Sequence, residues 1–110
     1  MKISQDEIES FTREIFYEVA SHNLGVWEVL WAANSQFESA SVSDRIELSQ
    51  SVVRGLTSCG VVKLYRGEQW PSQEVRSEPI KDVEKIIRDR SAWSIEGDLF
   101  WLCRTAALFA

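Results

Sequence analysis

The chain lacks most of the patterns from which a chemical activity is read. Its 110 residues include one histidine, His22, and two cysteines, Cys59 and Cys103. The cysteines form no CxxC pair, so a Cys/His zinc site would need carboxylates at unusual spacing. Two buried, reduced thiols acting as small apolar groups are the expectation instead. The five glycines, Gly25, Gly55, Gly60, Gly67 and Gly97, fall in no phosphate loop and no GxGxxG array. No serine sits in a GxSxG elbow. His22 lies between Ser21 and Asn23 in a predicted interhelix loop, where solvation or capping is the ordinary role. No apolar run approaches the roughly 18 residues of a membrane span. The opening residues, Met-Lys-Ile-Ser-Gln-Asp, carry no signal-peptide apolar stretch. A soluble, cytoplasmic, non-enzymatic chain without metal or cofactor is the expectation.

What is present is an ordinary globular composition. Hydrophobic residues make up 45% and charged residues 26%, which argues against disorder. The length suits one domain spanning residues 1–110, since single cores form at about 100–200 residues. The formal net charge of −5 is unevenly placed. Residues 1–40 hold only Lys2 and Arg13 against seven acids, Asp6, Glu7, Glu9, Glu14, Glu18, Glu28 and Glu38. The remaining residues hold ten bases and ten acids. The whole excess therefore lies in the first 40 residues. Such a patch repels nucleic acid and anionic membranes and attracts basic partners.

Helical signals dominate the first half. Ser4 and Glu7 form a capping box, flanked by Ile3 and Ile8 at staple positions. Ile8, Phe11, Ile15 and Val19 then recur at helical spacing, predicting a buried stripe. Ser21-His22-Asn23 breaks the pattern, and Asn23 is the expected cap of a second helix. That helix, around residues 26–33, is apolar over most of its circumference and reads as the central core helix. Trp27 and Trp31, four apart on it, are both expected in the core. Serines over 35–43 predict a loop. A third helix is expected to begin at Ser43 or Asp44 and end at Cys59-Gly60, with Gly60 as a left-handed cap. Residues 61–66 read as a strand, 67–77 as a long connection, and 77–88 as a short helix burying Ile80, Val83 and Ile87. A turn at Glu96-Gly97-Asp98 precedes a second strand over 99–103, which Trp93 and Trp101 help to pack. Thr105 is placed to cap a final turn, and the apolar residues 107–110 to dock on the core.

Three helices followed by a β-ribbon make an α+β, winged helix-turn-helix-like plan, with a short helix inserted between the ribbon strands. Residues 25–34 (Gly-Val-Trp-Glu-Val-Leu-Trp-Ala-Ala-Asn), the stretch 51–67 and Ser-Ala-Trp at 91–93 resemble a group of small bacterial proteins of unassigned function. Phe-Trp-Leu-Cys-Arg-Thr-Ala-Ala-Leu, residues 100–108, is similar to the last wing strand and Thr-capped turn of winged-helix proteins. Leu108 stands where those proteins usually carry glycine. The matched positions are mostly apolar, so the resemblance speaks to fold.

A winged helix raises DNA binding as one alternative, through Arg45, Arg54, Arg66 and Arg76. DNA affinity rests on a basic face. Arg45 and Arg54 fall about 180° apart on the third helix, and Glu47 stands about 20° from Arg54. No basic face is visible, and nucleic acid is not the expected partner on this pattern. Glu14 and Glu18 form an i, i+4 carboxylate pair, but acid–base work would require burial that an acidic, exposed face does not supply. On the first helix Glu7, Glu14 and Glu18 fall in one stripe at about 240–280° from Ile8, with Tyr17 near 180°. The same stripe could be a solubilising face. A small, acidic chain without catalytic motifs also resembles the immunity proteins of secreted toxins. That resemblance implies a basic protein partner, such as a nuclease toxin domain, met by Asp6, Glu7, Glu14, Tyr17 and Glu18. Tyr65 and Trp70 are further aromatic candidates. Strand edges or the second helix leave a homodimer open.

Overall fold

The computed structural model describes residues 2–60, 62–67, 79–95 and 99–105. Its elements run α1 (Gln5–Ser21), β1 (Leu24–Gly25), α2 (Val26–Gln36), α3 (Val42–Ser58), β2 (Val62–Gly67), α4 (Val83–Ile87), a 3-10 turn (Arg90–Trp93) and β3 (Leu99–Arg104). The architecture is mixed α+β, with helices against a three-stranded antiparallel sheet ordered β1-β3-β2.

Helix α1 begins as its sequence dictates. The Ser4 hydroxyl accepts the Glu7 N–H at 3.2 Å, and the Glu7 carboxylate accepts the Ser4 N–H at 3.3 Å. Two otherwise orphaned donors are thus satisfied reciprocally. Phe11, Ile15 and Val19 form the buried stripe, with Ile3 buried and Ile8 half-buried before it. After Ser21 the chain turns extended at His22, whose Nδ1 lies 2.8 Å from the Asn23 carbonyl oxygen.

The cap of α2 is Gly25 rather than Asn23. Leu24 and Gly25 are drawn into the sheet opposite Leu102 and Trp101, so the helix starts only after them. Glu28 reaches back and accepts the Gly25 N–H at 2.9 Å. A two-residue strand carries too little pattern to be seen by alternation, which is why β1 was not anticipated.

The sheet is covered on both faces, which explains why the central strand β3 is apolar almost throughout. Phe100 and Leu102 join Leu24, Val62 and Leu64 in the main core beneath the helices. Leu99, Trp101 and Cys103 face the other way, with Trp27 and Tyr65. Trp27 meets Trp101 edge-on, centroids 4.9 Å apart at 77°. Side chains in a helix lean toward its N-terminus, so Trp27 in the first turn folds back over the sheet. Trp31, one turn later, is 52% exposed rather than in the core.

Helix α3 starts one residue before the expected range. The Ser41 hydroxyl, not a later group, accepts the Asp44 N–H at 3.0 Å. It buries Leu48, Val52, Val53 and Leu56 and ends at Ser58, followed at Gly60 by the expected left-handed residue, φ +82°. Cys59 occupies the C-cap and is exposed, contrary to the expectation of burial, while Cys103 is buried. The helix expected over 77–88 is confined to Val83–Ile87. The Ile80 N–H is committed to the Leu64 carbonyl at 2.8 Å, and Asp82 caps the Lys85 N–H at 3.2 Å, so residues 79–82 form no helical turn, while residues 77 and 78 lie outside the described residues. The turn at 96–98 and the segment 106–110 lie outside the described residues. Thr105 donates its hydroxyl to the Gly60 carbonyl at 3.1 Å.

Two glycine substitutions should move stability in opposite directions. A Cβ on Gly67 would strike the Trp101 ring, whereas one on Gly55 meets open space. Gly67→Ala should cost about 1–3 kcal/mol through overpacking. Gly55→Ala should add up to about 1 kcal/mol through helix propensity. Denaturant unfolding of both variants checks the pair.

Candidate protein-binding surface

Five sequence-predicted residues, Asp6, Glu7, Glu14, Tyr17 and Glu18, are exposed on α1, with Tyr17 at 62%. The same 3.6-residue period that buries Phe11, Ile15 and Val19 turns these outward. They are not equivalent. Glu7 is committed to the capping box, where it also accepts from the Ser4 hydroxyl at 2.9 Å. Glu14 accepts from the Gln36 amide at 3.3 Å, tying α1 to the end of α2. Asp6, Tyr17 and Glu18 have side chains turned to solvent. Among the described residues no carboxylate of α1 takes part in an ion pair, and neither does Arg13. The negative charge of this face is therefore not neutralised by any ion pair among the described residues.

The outlying aromatic candidates fare differently. Tyr65 is half-buried on β2, opposite Trp101, and contributes packing to the second face of the sheet. Trp70 lies outside the described residues. Trp31 is the exposed aromatic that sequence reasoning missed. An all-round apolar helix gives no phase to its stripe, so nothing in the spacing could single out the residue left uncovered.

The basic residues considered for DNA are mostly engaged. Arg54 grips Glu84 of α4 through two contacts, Nε to Oε2 at 3.0 Å and Nη2 to Oε1 at 2.7 Å. Arg88 adds Nε to Glu84 Oε1 at 3.0 Å. The Arg54 hydrogen bond, helped by that of Arg88 and by both positive charges, holds the Glu84 carboxyl down at about 2. The Glu84 hydrogen bond in turn raises Arg54. The neutralising partner of Arg54 thus comes from a residue 30 positions away and not from Glu47. Arg45 is half-buried, its Nε 3.5 Å from the Ser41 carbonyl. Arg66 lies over the Phe100 ring at 5.7 Å. Arg76 lies outside the described residues.

Among the described residues no group of three His, Cys, Asp or Glu side chains is placed to hold a metal ion. No described helix is long and apolar enough to cross a membrane. Comparison with protein-family models, with curated proteins and with solved structures gave no match.

Two outcomes follow for the titratable groups. A carboxyl held low in the fold stabilises it above the unfolded value of about 4.3, and that support is lost as pH falls toward the folded value. Wild-type stability should therefore drop between about pH 4.3 and 2 in part through Glu84. Glu84→Gln should be less stable at neutral pH and show a shallower loss in that window, read as denaturation midpoint against pH. Burial pushes the Cys103 thiol up to about 11, so thiolate reagents should find it unreactive. One thiol, Cys59, should be alkylated in the native protein and both after denaturation, measured by mass spectrometry.

Proposed function

We propose that the chain is a winged-helix-like domain whose task is to bind another protein, and that it serves as an immunity protein for a basic nuclease toxin. The observation that carries this reading is the outward face of α1, where Glu14, Tyr17 and Glu18 are exposed and the carboxylates have no counterion among the described residues. A protein gains little stability from clustered carboxylates, since like charges at i, i+4 repel by a few tenths of a kcal/mol. A basic cleft built for phosphates would find the same charges attractive, and binding there would occlude the toxin's active site. Such complementarity accelerates encounter more than it deepens affinity, and salt screens it. Tyr17, an exposed aromatic between two carboxylates along the helix, supplies an anchor that can be desolvated on contact.

The winged-helix reading is supported by the order α1-β1-α2-α3-β2-β3, with α4 and the 3-10 turn inserted between β2 and β3, and by a sheet in which β3 lies between β1 and β2. Within that plan α3 would be the DNA-reading helix. Its Arg54 is bound by Glu84 and its Arg45 turns back onto its own first turn. These contacts favour a partner other than DNA.

The test is rescue followed by charge reversal. Cells expressing a toxin encoded beside this gene should survive when the chain is co-expressed. Failure of the wild-type chain to protect overturns the immunity reading. Glu14→Lys with Glu18→Lys leaves the capping box intact and should slow association with that toxin by roughly tenfold or more at low salt, the difference shrinking at high salt. Stopped-flow association rates report this, with the unfolding midpoint as the control. Unchanged rates would reduce the stripe to a solubilising face.

A further inference from the structure

Where α2, α3, α4 and the 3-10 turn meet, the surface opens into a hollow of about 190 Å³. Its walls are apolar: Leu30 from α2, Ile46 from α3, Ile87 from α4 and Trp93 from the turn. The Ile87 carbonyl is already taken twice. Trp93 donates its indole N–H to it at 2.9 Å and Gln50 its amide N–H at 3.0 Å. The interior is thus satisfied without a ligand and presents hydrocarbon to whatever enters.

Two guanidinium groups, Arg88 and Arg90, stand at the mouth. The carboxylates nearest to them in sequence are both committed elsewhere. Glu84 is held by Arg54 and by Arg88 itself. Asp89 is folded into the turn, accepting the Ser91 N–H at 3.0 Å and the Ser91 hydroxyl at 2.9 Å. Among the described residues Arg90 therefore has no hydrogen-bond or ion-pair partner. A guanidinium offers planar, paired donors that match a carboxylate. Ligand sites are concave and mostly apolar with a few placed polar groups, and at about 190 Å³ this one is sized for a ligand smaller than those that fill the usual sites of about 300–1,000 Å³.

We infer that this hollow binds a small monocarboxylic acid with a compact apolar body, the body lying between Ile46, Ile87 and Trp93 and the carboxylate meeting Arg90. The volume sets the size of the body: an apolar cavity of about 150 Å³ accommodates benzene, so one ring with a short acidic arm fits. Ligands of that size reach dissociation constants of roughly 0.1–1 mM. The site lies on elements other than α1, so it stands or falls separately from the protein-binding face.

The experiment is a nuclear magnetic resonance titration of the full chain with sodium phenylacetate. Saturable shifts are expected for the methyl groups of Leu30, Ile46 and Ile87 and for the Trp93 indole N–H. Phenylacetamide, which keeps the ring and loses the charge, should bind roughly tenfold more weakly, the worth of one charged hydrogen bond. Arg90→Gln, an exposed change, should weaken phenylacetate to the level of the amide and leave the amide unchanged. Acetate, lacking the body, should give no shifts at the methyl groups. The inference is overturned if phenylacetate produces no saturable shifts at these positions up to about 10 mM, ten times the upper bound expected for so small a ligand. Equal binding of acid and amide, or indifference to Arg90→Gln, overturns the role of the charge. A Gly-Gly-Phe tripeptide binding roughly tenfold more tightly than phenylacetate would assign the hollow to a peptide terminus instead of a free acid.

Discussion

The contact between Trp27 and Trp101 sets the relation between the helices and the sheet. Trp101 lies in the middle of the central strand, paired with Gly25 on one side and Tyr65 on the other. The two rings meet edge to face, the arrangement that places a positive ring edge against a negative ring face. Gly25 and Gly67 leave room for these rings, since a Cβ at either position would collide with one of them. The start of α2 is thereby fixed over the sheet, and the remaining helices pack beneath it on the other face. Truncating a buried tryptophan of this kind costs on the order of 3–5 kcal/mol.

This constraint also decides which aromatic side chains are left for the surface. Once Trp27 is committed to the sheet, the continuing turn of α2 carries Trp31 past the last covering element and into solvent. Tyr65, which shares a face with Trp101, is absorbed into packing for the same reason. The exposed aromatic residues of the first two helices are then Tyr17 and Trp31. Charge follows a similar division. The guanidinium pair of Arg54 and Arg88 resolves its charge internally, through Glu84 between them. The acidic side of α1 does not, and its field extends outward.

Local chemistry was legible and long-range chemistry was not. The Ser4–Glu7 box, the stripe from Phe11 to Val19 and the glycine cap at Gly60 each depend on residues within one or two turns, and the spacing of the sequence contains all that is needed. Outward exposure of Asp6, Glu14, Tyr17 and Glu18 follows from the same period. Asn23 does not take the cap expected of it because strand pairing with residues near 102 claims the chain before the helix can begin. Arg54 is neutralised not by Glu47, its neighbour on the helix face, but by a carboxylate arriving from α4. The exposed positions of Trp31 and Cys59 required knowing where neighbouring elements end. In each case the deciding partner is distant along the chain, where periodicity carries no information.

The pairing of β1 with β3 joins Leu24 to Leu102. During synthesis, helices α1, α2 and α3 emerge long before the strand that closes the sheet over Trp27. Until Leu102 has left the ribosome, the indole of Trp27 has no ring to meet and β1 has no neighbour. Contacts of such separation slow folding, because the intervening loop must close before it is rewarded. The nascent helices would thus spend an interval with their apolar faces uncovered, the stage at which chains are open to aggregation and to chaperones.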